Sequence, residues 1–404
     1  MTQKGLSGFF EKYLDENVIF KDKKALQSTY TPETILHRDK EINQIASILA
    51  PALREEKPSN LFIYGTTGTG KTLCIKHISS QMKQLAEKRG ILLNILYLNC
   101  KMKRIADTEY RLIAQLIKEL GYSVPPTGLP TDEVYNSFYR IIEKGKDKLI
   151  ILVLDEIDQL IKKAGDEIIY NLTRINSEQT KTQISLVGIS NNLVFTNTMD
   201  PRVRSSLCEE DVVFTQYNAS QLQDILRTRA EKAFKLSVLE QGLIEKCAAY
   251  AAREHGDARR ALELLRVAGE VAERKSLSKV RIDHLDEAEE KIEKDKVLEI
   301  AKTLPKQSQV TLFSIILLFE KENKTIYTGD IYEIYKQLCI KSDLRPLTQR
   351  RLSDIIGELD MLGIINATII SKGRYGRTRE IKPEMGPTLK QKIKTILVEE
   401  LNLS

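Results

Sequence analysis

Eight residues, GTTGTGKT at 65–72, carry the most specific chemistry in the chain. Gly65, Gly70, Lys71 and Thr72 fall on the spacing G-x-x-x-x-G-K-[ST], with Thr66, Thr67, Gly68 and Thr69 completing the loop. The apolar stretch NLFIY precedes it and LCIKHI follows, the strand-then-helix setting that this spacing needs. Glycines there let backbone N–H groups curl round phosphate oxygens, and the next helix adds its positive N-terminal end. Lys71 would reach the β- and γ-phosphates, and the Thr72 hydroxyl would be a ligand of Mg2+.

Carboxylates come from LIILVLDEID, a continuous apolar run ending in Asp155 and Glu156. Such a run predicts a strand buried on both faces, and acids at the C-terminal edge of a parallel sheet stand beside a phosphate loop. Asp155 would hold Mg2+ through water, and Glu156 would orient or deprotonate the attacking water. A further strand, ISLVGISNN, delivers Asn191 or Asn192 to the same edge, where an amide can bond the water or the γ-phosphate; an Asn after a strand also serves a plain turn. In HGDARRALELLR, Asp257 reads as a helix N-cap with Arg259 in the first turn. Arg259 facing a triphosphate would make closure depend on the γ-phosphate, while the competing reading leaves Arg259 and Arg260 on an exposed helix face.

These groups must be brought together by a sheet. Apolar runs at residues 61–64, 95–98, 149–154, 184–189 and 212–214 alternate with segments of helical periodicity, which predicts a parallel sheet covered by helices on both faces. After Phe214 only helical periodicity remains. SQLQDILRTRAEKAF, EQGLIEKCAAYAARE and DARRALELLRVAGEVAERK carry apolar residues at i, i+3, i+4 and i+7 and predict a small helical domain. The charged DHLDEAEEKIEKDKVLEI reads as a solvated helix leading to a last unit of helices and a hairpin. The expected domain limits are 1–216, 217–298 and 299–404.

A length of 404 residues suits two or three domains, and 42% hydrophobic residues are enough to close their cores. The net charge of +6 is concentrated at one end: residues 301–404 hold 17 Lys and Arg against 12 Asp and Glu, and the rest is nearly neutral. A local surplus of that kind points to a polyanionic partner for the C-terminal part. Five scattered cysteines without a C-x-x-C pair fit reduced, buried thiols, and His37, His77, His255 and His284 show no metal-ligand spacing. No apolar segment approaches the roughly 18 residues of a membrane helix, and MTQKGLSGFF lacks a secretory apolar region, so a soluble cytoplasmic protein is expected.

The polyanion reading gains detail near the C-terminus. LTQRRLSDIIGELDMLGII places Leu352, Ile355, Ile356, Leu359 and Leu362 on one helical face, with Arg350, Arg351 and Asp354 at its outer start. A helix packed by its back and presented by its front suits a major groove. Behind it, NATIISKGRYGRTREIKP reads as two strands around a Gly-rich turn, with Lys372, Arg374, Arg377 and Arg379 available to phosphates or to a narrow minor groove.

In chain order, the phosphate loop, the Asp-Glu strand, the Ser-Asn strand end and G-D-x-R in a helical lid resemble the AAA+ ATPases. TYTPETILHRDKEINQI, with His37, Arg38 and Asp39 before an amphipathic helix, is similar to that family's adenine-side segment. More narrowly, VGISNN, DPRVRSSL, FTQYNASQLQDILRTRAEKAF and GDARRALELLR resemble archaeal replication initiators, relatives of the origin recognition complex and of the cell-division-cycle helicase loader. GRYGRTREI is similar to the wing of their winged-helix domain, and the resemblance runs over about residues 8–390.

The resemblance implies an α/β fold, an AAA+ P-loop parallel sheet with a helical lid followed by a C-terminal winged helix. It implies ATP or ADP with Mg2+ as ligands, and an ATPase that recognises double-stranded origin DNA and promotes loading of the replicative helicase. Other initiator paralogues would be further partners, on the nucleoid. One departure matters: RVRSSL has Ser206 where many relatives carry an arginine finger, so Arg202 or Arg204 would have to replace it. Such a finger is worth roughly 10³–10⁵ in rate, so hydrolysis should be slow and ATP mainly a switch. Residues 121–135, a DNA-touching insertion in the initiators, read here equally well as a rigid Pro-rich connector. Two other functions use the same motifs: a clamp-loader-like motor, and a winged-helix transcriptional regulator with structural ATP.

Overall fold

The computed structural model describes residues 19–403 except 102–107, 126–127, 145–148, 179–180, 193–198, 208, 255, 323–325, 372–376 and 383–386. The chain divides into two compact units, Met1–Leu285 and Asp286–Ser404.

The first unit is built on α1 (Asp39–Leu49), β1 (Asn60–Gly65), α2 (Lys71–Arg89), β2 (Leu93–Asn99), α3 (Glu109–Glu119), α4 (Thr131–Lys144), β3 (Leu149–Asp155), α5 (Ile157–Ala164), α6 (Glu167–Glu178), β4 (Gln183–Ser190), α7 (Pro201–Leu207) and β5 (Glu209–Phe214). Three more helices follow, α8 (Ala219–Ala233), α9 (Leu243–Arg253) and α10 (Ala258–Arg274). The five strands form a parallel sheet in the order β2-β3-β4-β1-β5.

Successive side chains of a strand face opposite ways, and here both faces are buried. Phe62, Leu96, Leu152 and Leu186 join one core with α3, α4 and α6, while Leu61, Ile63, Ile151, Val187 and Val212 join another with α1 and α2. That is why β3 reads as uninterrupted apolar sequence, and every residue in it is buried. The register sets Asn99 beside Asp155 and Gly65 beside Phe214, so the strands end along one common edge. Parallel sheets bind ligands at that edge.

Helices α8 and α10 start on side-chain caps, and α9 starts on Gly242 without one. Asn218 and Gln221 form a capping box for α8, and the Asp257 carboxylate accepts from the amides of Arg259 and Arg260 at the start of α10. Of the stretch 121–135, residues 126 and 127 lie outside the described residues, Tyr110 donates to the carbonyl of Pro125, and residues 131–135 begin α4.

The boundary between units falls within α11 (Ile282–Thr303). The second unit continues through α12 (Lys306–Glu322), β6 (Ile326–Tyr327), α13 (Thr328–Lys341), α14 (Gln349–Met361), β7 (Asn366–Ser371), β8 (Arg377–Lys382) and α15 (Pro387–Glu400). Its antiparallel sheet has the order β6-β8-β7. Leu352, Ile355, Ile356 and Leu359 of α14 are buried in its core, as the periodicity predicts, but Leu362 is not. Leu362 caps the helix C-terminus, where the face has turned away from the core, and stays 45% exposed. Among the described residues no helix is long and apolar enough to cross a membrane.

Candidate functional site

At the C-terminal edge of the five-stranded sheet lies a cleft of about 410 Å3. Gly68, Gly70, Thr72, Tyr97, Asp155 and Glu156 line it from the sheet side, residues 28–32 and 34–36 from the segment before α1, and Arg229, Arg259 and Leu262 from the helical part. The phosphate loop connects β1 to α2. Gly68 and Gly70 have φ of 74° and 94°, the left-handed region that favours glycine. A Cβ on Gly68 would lie 1.7 Å from Asp257 Oδ1, and one on Gly70 would lie 2.9 Å from the Tyr217 hydroxyl. The loop is thus a close-fitting backbone cradle. The Thr69 hydroxyl braces it by donating to the carbonyl of Thr66 at 2.9 Å, and the amide of Ala258 donates to the carbonyl of Gly68 at 3.3 Å.

Lys71 Nζ donates to the carbonyls of Gly65 and Thr66, each at 2.7 Å. Burial lowers its pKa to about 8; Asp155 opposes that shift and Arg259 adds to it. Arg259, exposed at the start of α10, is therefore within electrostatic reach of the loop lysine. The Thr72 hydroxyl donates to Asp155 Oδ2 at 3.0 Å, bringing the two expected Mg2+ ligands together. Asp155 is 4% exposed, and its other oxygen accepts the Glu156 amide at 3.0 Å.

Glu156 sits between β3 and α5 with φ 56° and ψ 45°, a left-handed conformation uncommon outside glycine. Its carboxylate lies 3.7 Å from Lys101 Nζ. Asn191 is exposed just after β4 and does not line the cleft, whereas the Asn192 amide donates to Ser190 Oγ at 2.9 Å. On α7, the Arg202 side chain is 90% exposed.

Two residues line the site without a signal in sequence spacing, Tyr97 and Arg229, and a third, Arg38, stands behind the loop. Tyr97 donates its hydroxyl to Asp155 Oδ2 at 2.5 Å, and burial together with this bond raises its pKa well above the usual phenol value. Arg229 is 7% exposed, lies 4.3 Å from the centre of the Tyr30 ring and donates to the carbonyls of Gln27 and Tyr30 at 3.4 Å. Arg38, 2% exposed, donates to the carbonyl of Thr69 at 2.9 Å, to Glu41 at 2.9 Å and to the carbonyl of Thr215 at 2.6 Å.

In the second unit, Thr348 caps α14, Arg350 is exposed, and Arg351 lies 3.7 Å from Asp354. Arg377 opens β8 opposite Ser371, and Lys372 and Arg374 lie outside the described residues. Arg379 turns back: its Nε donates to Ser353 Oγ at 3.3 Å, and its guanidinium lies against Gly357, where a Cβ would come within 2.9 Å of Nη2. The absent side chain at Gly357 leaves a seat for it on α14.

The donor set fits a nucleoside triphosphate with a divalent cation: a positive-φ backbone cradle, a lysine at its base, and a hydroxyl–carboxylate pair at its side. Comparison with known proteins agrees. Residues 54–194 match an AAA domain model, residues 223–290 the Cdc6 AAA+ ATPase-type lid domain, and residues 299–389 the CDC6 C-terminal winged helix domain. The chain is 52% identical over 391 residues to an ORC1-type DNA replication protein of Thermococcus onnurineus, covering 96% of this chain and 93% of that one. It is 53% identical to one of Pyrococcus furiosus, covering 93% and 90%. The solved structure of the Aeropyrum pernix ORC1 protein in complex with DNA superposes with a TM-score of 0.79 at 43% identity, covering 95% of this chain and 98% of that one. The chain belongs to the family of ORC1-type DNA replication proteins.

Proposed function

We propose that the protein is an ATP-dependent replication initiator that binds origin duplex DNA and promotes helicase loading, with ATP acting chiefly as a conformational switch. The observation that carries the nucleotide part is the Thr72–Asp155 pair, 3.0 Å apart beside a loop whose lysine sits on its own carbonyls. Thr72 and Asp155 would hold Mg2+, which neutralises charge on the β- and γ-phosphates when bound. Lys71 would exchange its carbonyl partners for phosphate oxygens. Tyr97 keeps Asp155 in place, and Glu156 orients the water and takes its proton. Arg259 meets the γ-phosphate from the helical part. Asn191 would reach the reacting centre only by a change of position, since it is exposed. Hydrolysis is slow unless Arg202 or Arg204 reaches a neighbouring copy's nucleotide.

The division at 1–216, 217–298 and 299–404 would separate nucleotide base, lid and winged helix. On DNA, Arg350 and Arg351 face the major groove, and Lys372, Arg374 and Arg377 of the wing meet phosphates. Arg379, expected at the DNA with them, would also hold β8 to α14. Replicative helicase and paralogous initiators are the expected protein partners, met on the nucleoid in the cytoplasm.

Mapping the chromosomal sites that the protein occupies, together with a steady-state ATPase assay with and without duplex DNA, tests this reading. A few origin repeats and slow turnover are the expected outcome. Occupancy of scattered promoters, or turnover strongly stimulated by DNA, would replace it with a regulator or a motor.

A further inference from the structure

Arg38 is a cation taken out of water at a place where phosphate chemistry does not require one. Its carboxylate partner among the described residues, Glu41, is itself mostly buried. The remaining bonds go to backbone: Nε to the carbonyl of Thr69 in the phosphate loop, and Nη2 to the carbonyl of Thr215. Thr215 opens the four-residue link between the end of β5 and the start of α8. Tyr217, in the same link, stacks on the guanidinium at 3.9 Å, and its hydroxyl stands over Gly70.

The segment before Arg38 makes a second connection between the same parts. Phe20 stacks on Phe234 at 4.8 Å, the amides of Lys21 and Asp22 donate to the carbonyl of Ala233, and Lys23 pairs with Glu270 of α10 at 2.8 Å. Residues 28–36 then pass along the cleft to reach Arg38. The helical part is therefore tethered to the sheet by two stretches of chain, and both come to Arg38.

A trans peptide points its C=O and N–H in opposite directions. By holding Thr69 O, Arg38 fixes the side to which the Gly70 N–H of the phosphate loop is turned; by holding Thr215 O, it fixes the first peptide of the link. Only a planar fork of donors reaches both carbonyls and Glu41 at once, and an ammonium does not.

We propose that Arg38 is a positioning residue that couples the shape of the phosphate loop to the hinge of the helical lid, so that phosphate binding at Gly70 is transmitted through one side chain to Thr215. The proposal rests on the nucleotide reading above. It concerns transmission and not phosphate contact, because Arg38 is buried on the far side of the Thr69–Gly70 peptide.

Amide hydrogen exchange on the full-length protein, with and without saturating ATP and Mg2+, tests it. In the native protein ATP should slow exchange by roughly tenfold in residues 66–73 and also in residues 215–222. Arg38→Lys keeps a buried cation and should retain protection of 66–73 with affinity within about tenfold, but lose the ATP-dependent protection of 215–222. A merely structural Arg38 would lower the melting temperature and leave that protection intact, which overturns the proposal. Protection of the loop alone in the native protein overturns it too, with the nucleotide site standing; protection of neither segment removes the nucleotide site as well. Should Arg38→Lys fail to fold, Tyr217→Leu removes the stack that holds the guanidinium and should show the same selective loss. Retained protection of the link in that variant counts against the coupling.

Discussion

The phosphate loop of the first unit and the α14 surface of the second are both candidates for phosphate, yet they are built oppositely. In the loop the cation is buried and satisfied: Lys71 is 5% exposed and donates to two carbonyls, and the candidate phosphate donors are backbone amides beside positive-φ glycines. On α14, Arg350 is exposed and Arg351 lies 3.7 Å from Asp354. A desolvated cradle recognises one phosphate chain by shape, and salt screens it little. A solvated row of cations recognises any polyanion, and its strength is set by released counterions. The same charge therefore does two kinds of work, decided by burial.

The strongest test of that contrast is Lys71→Ala. It should remove measurable ATP binding in a titration with labelled nucleotide and leave affinity for random duplex DNA unchanged. Equal losses of both would erase the distinction. Next in size, Glu156→Gln should keep ATP bound and lower single-turnover hydrolysis by about 10²–10⁴, since an amide cannot accept the proton of the water. Hydrolysis at the native rate would show that another group takes that proton.

A smaller effect follows from pH. The free Lys71 ammonium has its pKa lowered to about 8 by burial, and bound phosphates favour the charged form, so its pKa is higher in the complex. Binding then takes up a proton above pH 8. Affinity for ATP should be flat below that value and fall above it, by about tenfold at pH 9. A flat profile to pH 10 would mean that the lysine stays protonated without nucleotide. The smallest change is at α14. Replacing Arg350 or Arg351 by Ala should reduce the slope of log K against log salt for duplex binding by about 0.9 for each phosphate that is no longer neutralised, while ATP affinity stays put. If either reads a base, discrimination against a wrong base pair falls by about 1–3 kcal/mol instead.

How much of this can be read from sequence depends on the range of the interaction concerned. The loop spacing, the apolar strands and the cap at Asp257 are local, and they appear in the structure where the sequence places them. Tyr97 is hidden because it sits in an ordinary apolar strand; only the pairing of β2 with β3, with Asn99 opposite Asp155, brings its hydroxyl to the carboxylate. Arg38 is visible as a residue but not as a bond network, since Thr69 and Thr215 lie 31 and 177 positions away. Arg379 reads as one more basic residue of a wing, and the space at Gly357 that receives it belongs to another element. Leu362 shows the opposite failing, a periodicity extended one residue beyond the helix that carries it.

Glu156 holds its left-handed conformation without a glycine's freedom, and a non-glycine residue there costs about 1–2 kcal/mol. Glu156→Gly would relieve that cost and should raise the melting temperature while abolishing turnover. For folding alone glycine would serve better at this position, so the strained backbone is what sets a carboxylate, and not a bare turn, at the end of β3.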